Sequence, residues 1–432
     1  MLVAVQKRLW RPHPAWPMVA TAFALRVGAI LVLHTYRFPQ TDDHYLFGTE
    51  MGRIGRALAS GHGFASPLHG NTGPTAMVGP LYPLVIAAVF KLTGIYTPGS
   101  AIILLGLSAL FSSLTALVIY DIGREAFDGT TGLWAGWGWV LSPFAIYWPI
   151  RWVWDTGLST LLFALLFLMT LRLSRAMSTV DGLWYGVLWG GVVLTNTTFL
   201  ALLPFFLGWL CWRRVRCRDF RVSAAAAVAV AFLLAIAPWL ARNYIAFGQV
   251  LLRSNLGLEL AIGNLADPGD PLAWQHLHPA VNAAEMARYR TLGELRYMAE
   301  KQRQVLHFIG TRPTAFLRNT ATHILYFWFG SATPAGITHF PEILFGLPAM
   351  LAFAGLWLLV RGHSRAAFPF MATVAIFPVI YYFTHPDLRF RHLIEPQLFV
   401  MAAYGVSTAA RTAAKTVPKW AQKIAPIRGL VK

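Results

Sequence analysis

Residues 101–120 read AIILLGLSALFSSLTALVIY, a run without a single charged side chain. An α-helix needs about 20 apolar residues to cross the hydrocarbon core of a bilayer, so this run predicts a membrane-spanning helix. Similar runs recur along most of the chain, separated by short basic or turn-rich breaks. We therefore interpret the 432 residues as one integral membrane body.

The composition of the chain excludes a soluble domain. Hydrophobic residues make up 56% of the sequence and charged residues only 12%, whereas an ordinary soluble domain has about 25% charged residues. A disordered chain is excluded as well, because such chains combine low hydrophobicity with high net charge. The bilayer is the solvent that this composition fits.

The net charge of +18 is concentrated beside the ends of the apolar runs. Lysine and arginine gather near the N-terminus, in the segment 213–221, and from residue 411 to the C-terminus. This is the positive-inside pattern, so we expect these groups in the cytoplasm and no nucleic-acid partner. Cys211 and Cys217 flank the second group, where thiols stay reduced, and no disulfide is expected.

The apolar runs predict an all-α polytopic protein with about ten transmembrane helices. The candidate spans lie at 16–38, 99–122, 130–148, 155–173, 183–197, 198–212, 222–241, 342–360, 366–384 and 392–409. The stretch 79–94 is interpreted as re-entrant or juxtamembrane, because it is short and begins with Pro80 and Pro83. If it crossed fully, the basic segment 213–221 would move outside.

This arrangement leaves two large loops outside the cytoplasm. The chain then divides into an N-terminal catalytic module with the outer loop 38–98 (residues 1–241), an outer loop with amphipathic helices (242–341), and C-terminal helices with a basic tail (342–432). Within the second loop, apolar residues at three- and four-residue spacing predict a helix from about 282 to 310. A further apolar patch, 315–329, is expected to be interfacial.

Three carboxylates lie at the predicted outer boundary of the membrane. Asp42 and Asp43 follow the first span, and Asp155 lies in a short turn before a later span. A carboxylate at this boundary costs free energy unless it is solvated, paired or used. Each alone fits a solvated loop acid, but together they indicate a cavity that faces outward.

Several basic side chains are placed to face the same cavity. They are Arg53 and Arg56 in the first loop, Arg151 in the short turn, and His385, Arg389 and Arg391 in the last outer loop. Arginine binds phosphate oxygens in a bidentate manner, so these residues are candidates for phosphate recognition. The alternative for each is an anchor to lipid headgroups.

Short motifs occur in an order that resembles a known family. They are Asp42-Asp43, Gly79-Pro-Leu-Tyr-Pro83, Ser142-Pro143 leading to Tyr147 and Asp155, the run APWLARNYIAFG at 237–248 with Gly263-Asn264 downstream, and Arg389-Phe-Arg391 before Glu395-Pro396. Their order and spacing resemble the GT-C membrane glycosyltransferases, in the bacterial branch related to protein O-mannosyltransferases and to aminoarabinose transferases of lipid A. The resemblance covers nearly the whole chain.

The resemblance implies a GT-C-like bundle in the inner (cytoplasmic) membrane, with the active site on the extracytoplasmic side. It implies a sugar donor linked to polyprenyl phosphate, an extracytoplasmic glycan, lipid or protein as acceptor, and inversion at the anomeric carbon. The implied catalytic residues are Asp43 or Asp42 as general base, with Asp155 positioning the acceptor or a cation. The implied phosphate-binding residues are Arg389, Arg391, Arg53 and Arg56, and the implied positioning residues are Tyr82, Arg151, Asn243 and His385.

One departure from the family accompanies this resemblance. Relatives often carry Lys or His just before the Pro-Leu-Tyr element, where this chain has Thr75-Ala-Met-Val78. The departure argues against phosphate binding by that element.

Two other functions stay open beside the transferase. One is a ligase or polymerase of lipid-linked oligosaccharides, and the other is a flippase or transporter. A transporter would place ionisable groups at mid-membrane, whereas here they cluster at the outer edge, apart from Arg26, which we expect to pair inside the bundle. The sequence indicates no particular cofactor. It contains no closely spaced set of Cys and His that would hold zinc, and a requirement for a divalent cation stays open.

Overall fold

The computed structural model describes residues 13–39, 44–266, 273–330 and 342–416, which form an all-helical protein. The helices are α1 (Trp16–Val32), α2 (Glu50–Ala59), α3 (Leu81–Thr93), α4 (Pro98–Ala126), α5 (Gly129–Leu141), α6 (Pro143–Arg151), α7 (Thr156–Leu173), α8 (Thr179–Thr195), α9 (Leu203–Arg216), α10 (Val222–Phe247), α11 (Leu256–Asn264), α12 (Ala273–Leu277), α13 (Ala283–Leu292), α14 (Glu294–Thr311), α15 (Pro313–Phe329), α16 (Glu342–Arg361), α17 (Ala367–Ile376), α18 (Val379–Phe383), α19 (Leu388–His392) and α20 (Glu395–Thr416). The predicted all-α polytopic fold is confirmed.

Five of the described helical segments are long and apolar enough to cross a membrane. They are Pro98–Ala126, Thr156–Leu173, Thr197–Arg216, Val222–Phe247 and Leu344–Arg361, and shorter apolar helices occupy Trp16–Val32, Leu81–Thr93 and Ala367–Phe383. The chain is therefore an integral membrane protein. The number of ten crossings stays a prediction.

The helix α3 has the short length expected of a segment that enters the membrane without crossing it. It contains 13 residues, which at 1.5 Å per residue gives a length of about 20 Å. The hydrocarbon core is about 30 Å thick. The geometry therefore agrees with the re-entrant or juxtamembrane interpretation of residues 79–94.

Three regions predicted as single helices are each broken in two: 282–310, 130–148 and 366–384, the last of which gives α17 and α18. The predicted helix at 282–310 is interrupted at Gly293, which has a φ of +74° that favours glycine. The predicted span at 130–148 is interrupted at Ser142, whose extended backbone ends α5 and whose hydroxyl accepts a hydrogen bond from the Ala145 N–H at the start of α6. The local backbone thus overrides a continuous apolar pattern.

A stripe of glycines allows α8 and α10 to pack closely. Gly182, Gly186 and Gly190 recur every four residues along one side of α8. A methyl group built on Gly186 would lie 2.4 Å from the carbonyl oxygen of Val228 on α10. Small residues at such an interface let two helix backbones approach within a membrane.

Arg26 on α1 is fully buried in the bundle, as the sequence predicted. Its Nε donates hydrogen bonds to Ser112 Oγ at 3.0 Å and to Ala145 O at 3.1 Å. Its Nη1 donates to Ala22 O at 3.1 Å. These contacts join α1 to α4 and to the start of α6, next to the aromatic region described below.

Candidate active site

Asp155 is a buried carboxylate at the start of α7, and only 6% of its surface is exposed. Its Oδ2 accepts a hydrogen bond from Ser159 Oγ at 3.2 Å. Burial raises the pKa of Asp155 to about 6, while the positive charges of Arg253 and Arg389 act to lower it. Burial and the two arginines thus act in opposite directions on the pKa of this carboxyl group.

Arg389 lies beside this carboxylate on the short helix α19. Its guanidinium carbon is 4.0 Å from the ring centroid of Trp154, a cation–π contact that orients the guanidinium group. Its Nε is 3.3 Å from Asp387 Oδ2, and its backbone N–H donates to Asp387 Oδ1 at 2.9 Å. That Arg389 and Asp155 act in one active site stays a prediction.

Arg253 supplies a second cation that the sequence did not reveal. Its Nε donates to Met77 O at 2.7 Å, and its Nη2 is 3.8 Å from Glu259 Oε1 on α11. Arg253 thus lies against the segment 75–78, where relatives of the resembled family carry Lys or His. Arg253 belongs to none of the sequence motifs. The one sequence feature that points to it is its position shortly after the motif at 237–248.

His385 belongs to the same polar group. Its Nδ1 is 3.4 Å from Glu259 Oε2, and Glu259 also accepts a hydrogen bond from Asn255. Glu259 thus connects His385 to Arg253 through its two oxygens. The structure brings together residues that are more than one hundred positions apart in sequence.

A second polar group joins the first outer loop to the second. His278 Nε2 is 3.3 Å from Glu50 Oε1, and burial lowers the pKa of His278 while Glu50 opposes that shift. Arg53 donates to Pro67 O at 3.4 Å, and its Nη2 is 3.1 Å from His69 Nε2. These contacts hold Arg53 within the first loop, so its role in phosphate binding stays a prediction.

Arg391 differs from Arg389 in its surroundings, although the sequence treats them alike. Arg391 is fully buried, and it donates to Trp328 O at 2.5 Å and to Phe345 O at 2.6 Å. Its Nη2 is also 3.1 Å from Glu395 Oε1. These contacts give Arg391 a role in holding helices together, and nothing in them favours a phosphate contact.

The remaining positioning candidates are distributed over several surroundings. Tyr82 is 2% exposed, and its hydroxyl oxygen is 3.4 Å from Ser108 Oγ. Asn243 is fully buried, and its side-chain N–H donates to Leu251 O at 2.8 Å, which stabilises the turn after α10. Arg151 is exposed and bonds to Tyr147, and Arg56 lies near Tyr96. Of these residues, Tyr82 is the one that lies beside Asp155.

Asp42 and Asp43 lie outside the described residues, so the structure does not test them. The residues that follow them are described. His44 stacks on Tyr96 with ring centroids 3.7 Å apart, and Tyr45 packs edge-on against Trp152 at 5.2 Å. The chain therefore passes next to the Trp152–Asp155 turn two residues after Asp43.

No group of three or more His, Cys, Asp or Glu side chains within the described ranges is arranged to hold a metal ion. The pair Asp42-Asp43 is not covered by that statement. A requirement for a divalent cation therefore stays a prediction.

Comparisons with known proteins agree with the helical architecture. Residues 77–241 match the profile of the family described as dolichyl-phosphate-mannose-protein mannosyltransferase. The oligosaccharyltransferase AglB from Archaeoglobus fulgidus superposes with a TM-score of 0.56 at 14% identity, over 95% of this chain and 51% of AglB. Its apo form gives a TM-score of 0.56 at 14% identity, over 94% and 52% of the two chains. No curated protein matches the sequence.

These likenesses show the fold of the GT-C membrane glycosyltransferases, as the sequence predicted. The chain spans about half the length of AglB, so the activity of that enzyme does not transfer with the fold. ArnT from Cupriavidus metallidurans aligns over 95% of this chain and 80% of its own at 14% identity, but the TM-score of 0.38 is too low to support conclusions.

Proposed function

We propose that this protein is a glycosyltransferase that moves a sugar from a polyprenyl-phosphate-linked donor to an extracytoplasmic acceptor with inversion. The observation that carries the proposal is the buried carboxylate of Asp155, which lies within electrostatic range of Arg253 and Arg389 at the end of an apolar helical bundle. A donor with a lipid tail and an anionic phosphate requires this combination of membrane, cations and carboxylate.

The proposed reaction uses these groups in one displacement. The acceptor oxygen forms a bond to the anomeric carbon, and the bond between that carbon and the phosphate oxygen breaks. The acceptor proton passes to a carboxylate, for which the sequence favours Asp43 or Asp42, while Asp155 positions the acceptor or a cation. Arg389 and Arg253 stabilise the negative charge that develops on the departing polyprenyl phosphate.

The comparisons support the choice of a lipid-linked donor. The matching family profile is described by its dolichyl-phosphate-mannose substrate, and one AglB structure was solved with a dolichol-phosphate and an inhibitory peptide. We place the protein in the inner (cytoplasmic) membrane with its site on the outer side. The orientation follows from the distribution of basic residues, and the choice of membrane follows from the family resemblance.

Release of polyprenyl phosphate from a panel of polyprenyl-phosphate sugars tests the proposal. The purified full-length protein should release it from at least one donor when acceptors are supplied. Asp155→Asn should lower the rate by about 10²-fold, the order expected when the acceptor or a cation is no longer held in place, whereas Glu300→Gln on the surface of α14 should not. A folded protein that releases nothing from any donor, or an unaffected Asp155→Asn variant, would contradict it.

A further inference from the structure

A narrow cleft rich in tryptophan lies beside Asp155. It opens to the outside, and the roughly 400 Å³ of empty space counted in it includes open solvent, so a ligand ring would lie at its mouth and not inside a closed cavity. Its walls come from α4, α5, α6 and the turn that follows it, the first turns of α7, and α19. Trp148, Trp152 and Trp154 contribute the aromatic surface, and Arg389 contributes a charge. We name it the tryptophan cleft.

Two indole N–H groups in this cleft have no hydrogen-bond partner. Trp148 is 5% exposed and Trp152 is 7% exposed, yet Nε1 of each is unpaired among the described residues. The indole of Trp139, also on the wall, donates to Ser112 O at 2.9 Å. A buried donor without an acceptor costs free energy, so the two unpaired groups indicate a ligand that supplies acceptors.

Two of the hydroxyl groups on the wall are already engaged. Thr115 donates to Phe111 O at 2.8 Å, and Thr160 donates to Thr156 O at 2.7 Å, each within its own helix. The cleft therefore offers aromatic faces and two free N–H donors to a ligand. Oxygen atoms on a flat, partly apolar ring match that surface.

The charge of the cleft restricts which ring can enter. No carboxylate is among the described side chains that line it, and Arg389 is positively charged. Asp155 lies nearby, within electrostatic range of Arg253 and Arg389, and accepts from Ser159. An ammonium group in the cleft would lose hydration and meet the positive charge of Arg389, with no carboxylate in the wall to pair with it.

We propose that the tryptophan cleft binds the transferred sugar ring through the indole N–H groups of Trp148 and Trp152, and that it selects a sugar without an ammonium group. This inference rests on the proposed glycosyltransferase function. It adds to that function the location of the ring and a class of sugar that the cleft rejects.

Binding measurements on the full-length protein in nanodiscs test the inference with three lipids. The probes are a short-chain polyprenyl phosphate, the same lipid bearing a neutral hexose, and the same lipid bearing an amino sugar. The wild-type protein should bind the hexose lipid more tightly than the other two. Replacing both indoles, Trp148→Phe with Trp152→Phe, should weaken binding of the hexose lipid by about tenfold or more and leave the bare lipid unchanged, because two hydrogen bonds are lost.

The control variant is Trp184→Phe, which changes a tryptophan that is 65% exposed on α8. It should bind all three lipids as the wild type does. Equal binding of the hexose and amino-sugar lipids by the wild type would overturn the inference even if the double variant did not fold. Equal weakening of the bare and hexose lipids, or no weakening, would overturn it too. A protein that binds none of the lipids would overturn the proposed function itself.

Discussion

The protonation of Asp155 should set the pH dependence of sugar transfer. Burial raises its pKa to about 6 against the opposing charges of Arg253 and Arg389. Because the ionised form positions an acceptor or a cation, kcat/KM should fall as the pH drops through about 6. The residual activity of Asp155→Asn should lack this acidic limb. A wild-type profile that is flat through this region would contradict the assignment.

Arg389 should influence the same acidic limb through its charge. Removal of a cation that favours the ionised carboxylate raises the pKa of Asp155 further. In Arg389→Gln the limb of the rate profile should therefore move to higher pH, and donor affinity should fall. Arg303→Gln, at an exposed position on α14, is the matched control and should leave the profile in place. If the acidic limb of the Arg389→Gln profile stayed at the wild-type pH, Arg389 would not influence the pKa of Asp155.

Arg391 should behave as a stabilising residue and not as a ligand-binding one. Arg391→Met would remove the bonds to Trp328 O and Phe345 O and one partner of the buried Glu395. Breaking a buried ion pair costs about 3–5 kcal/mol, so the free energy of unfolding should fall by that order. Unfolding in detergent measures it. A stable variant with weakened donor binding would restore the phosphate role predicted from sequence.

The junction between the two outer loops depends on one buried carboxylate at the start of α14. Glu294 accepts hydrogen bonds from Ala76 N at 2.8 Å, from Ser254 Oγ at 2.7 Å and from Tyr289 Oη at 3.0 Å. The first two partners belong to the segments that also hold Arg253 against Met77. The geometry of the candidate site therefore depends on this junction.

Glu294→Ala should loosen that junction. Each buried donor left without an acceptor costs about 1–3 kcal/mol, so thermal stability should fall and proteases should cut the loops sooner. Glu300→Ala, which removes a surface pair with Arg288, should cost about 0–1 kcal/mol. If both variants had the same protease sensitivity, Glu294 would not be the residue that stabilises the junction between the two loops.

The sequence predicts the apolar helices well and their interruptions poorly. Hydrophobic runs mark the spans because the bilayer imposes their length and composition. The break at Gly293 depends on one backbone angle, which a helical pattern of apolar residues does not report. Arg253 was missed for another reason: it acts through contacts with Met77 and Glu259 that only the packing of distant segments creates. The ordered motifs placed Asp155 and Arg389 together because they carry a family resemblance.

The described residues form three hydrophobic clusters, and the candidate site lies near the two larger ones and the small cluster that contains Trp148 and Trp152. One of the larger clusters is built from α4, α5, α7, α8 and α20, and the other joins the first outer loop and α3 to the helices of the second loop. Asp155 precedes α7 of the first cluster, while Arg253 and Glu259 come from the second loop. The proposed division of the chain at residues 241 and 342 therefore separates segments that contribute to one site.

Orientation in the membrane decides which compartment supplies the acceptor. Cys217 is exposed in the basic segment that we place in the cytoplasm, and Thr311 is exposed at the end of α14 in the loop that carries Arg253. In intact cells an impermeant maleimide should leave Cys217 unlabelled, and permeabilised cells should label it. With both native cysteines changed to serine, Thr311→Cys should be labelled in intact cells. The reverse pattern would place Asp155 and its arginines on the cytoplasmic side, and the acceptor would then have to be a cytoplasmic molecule.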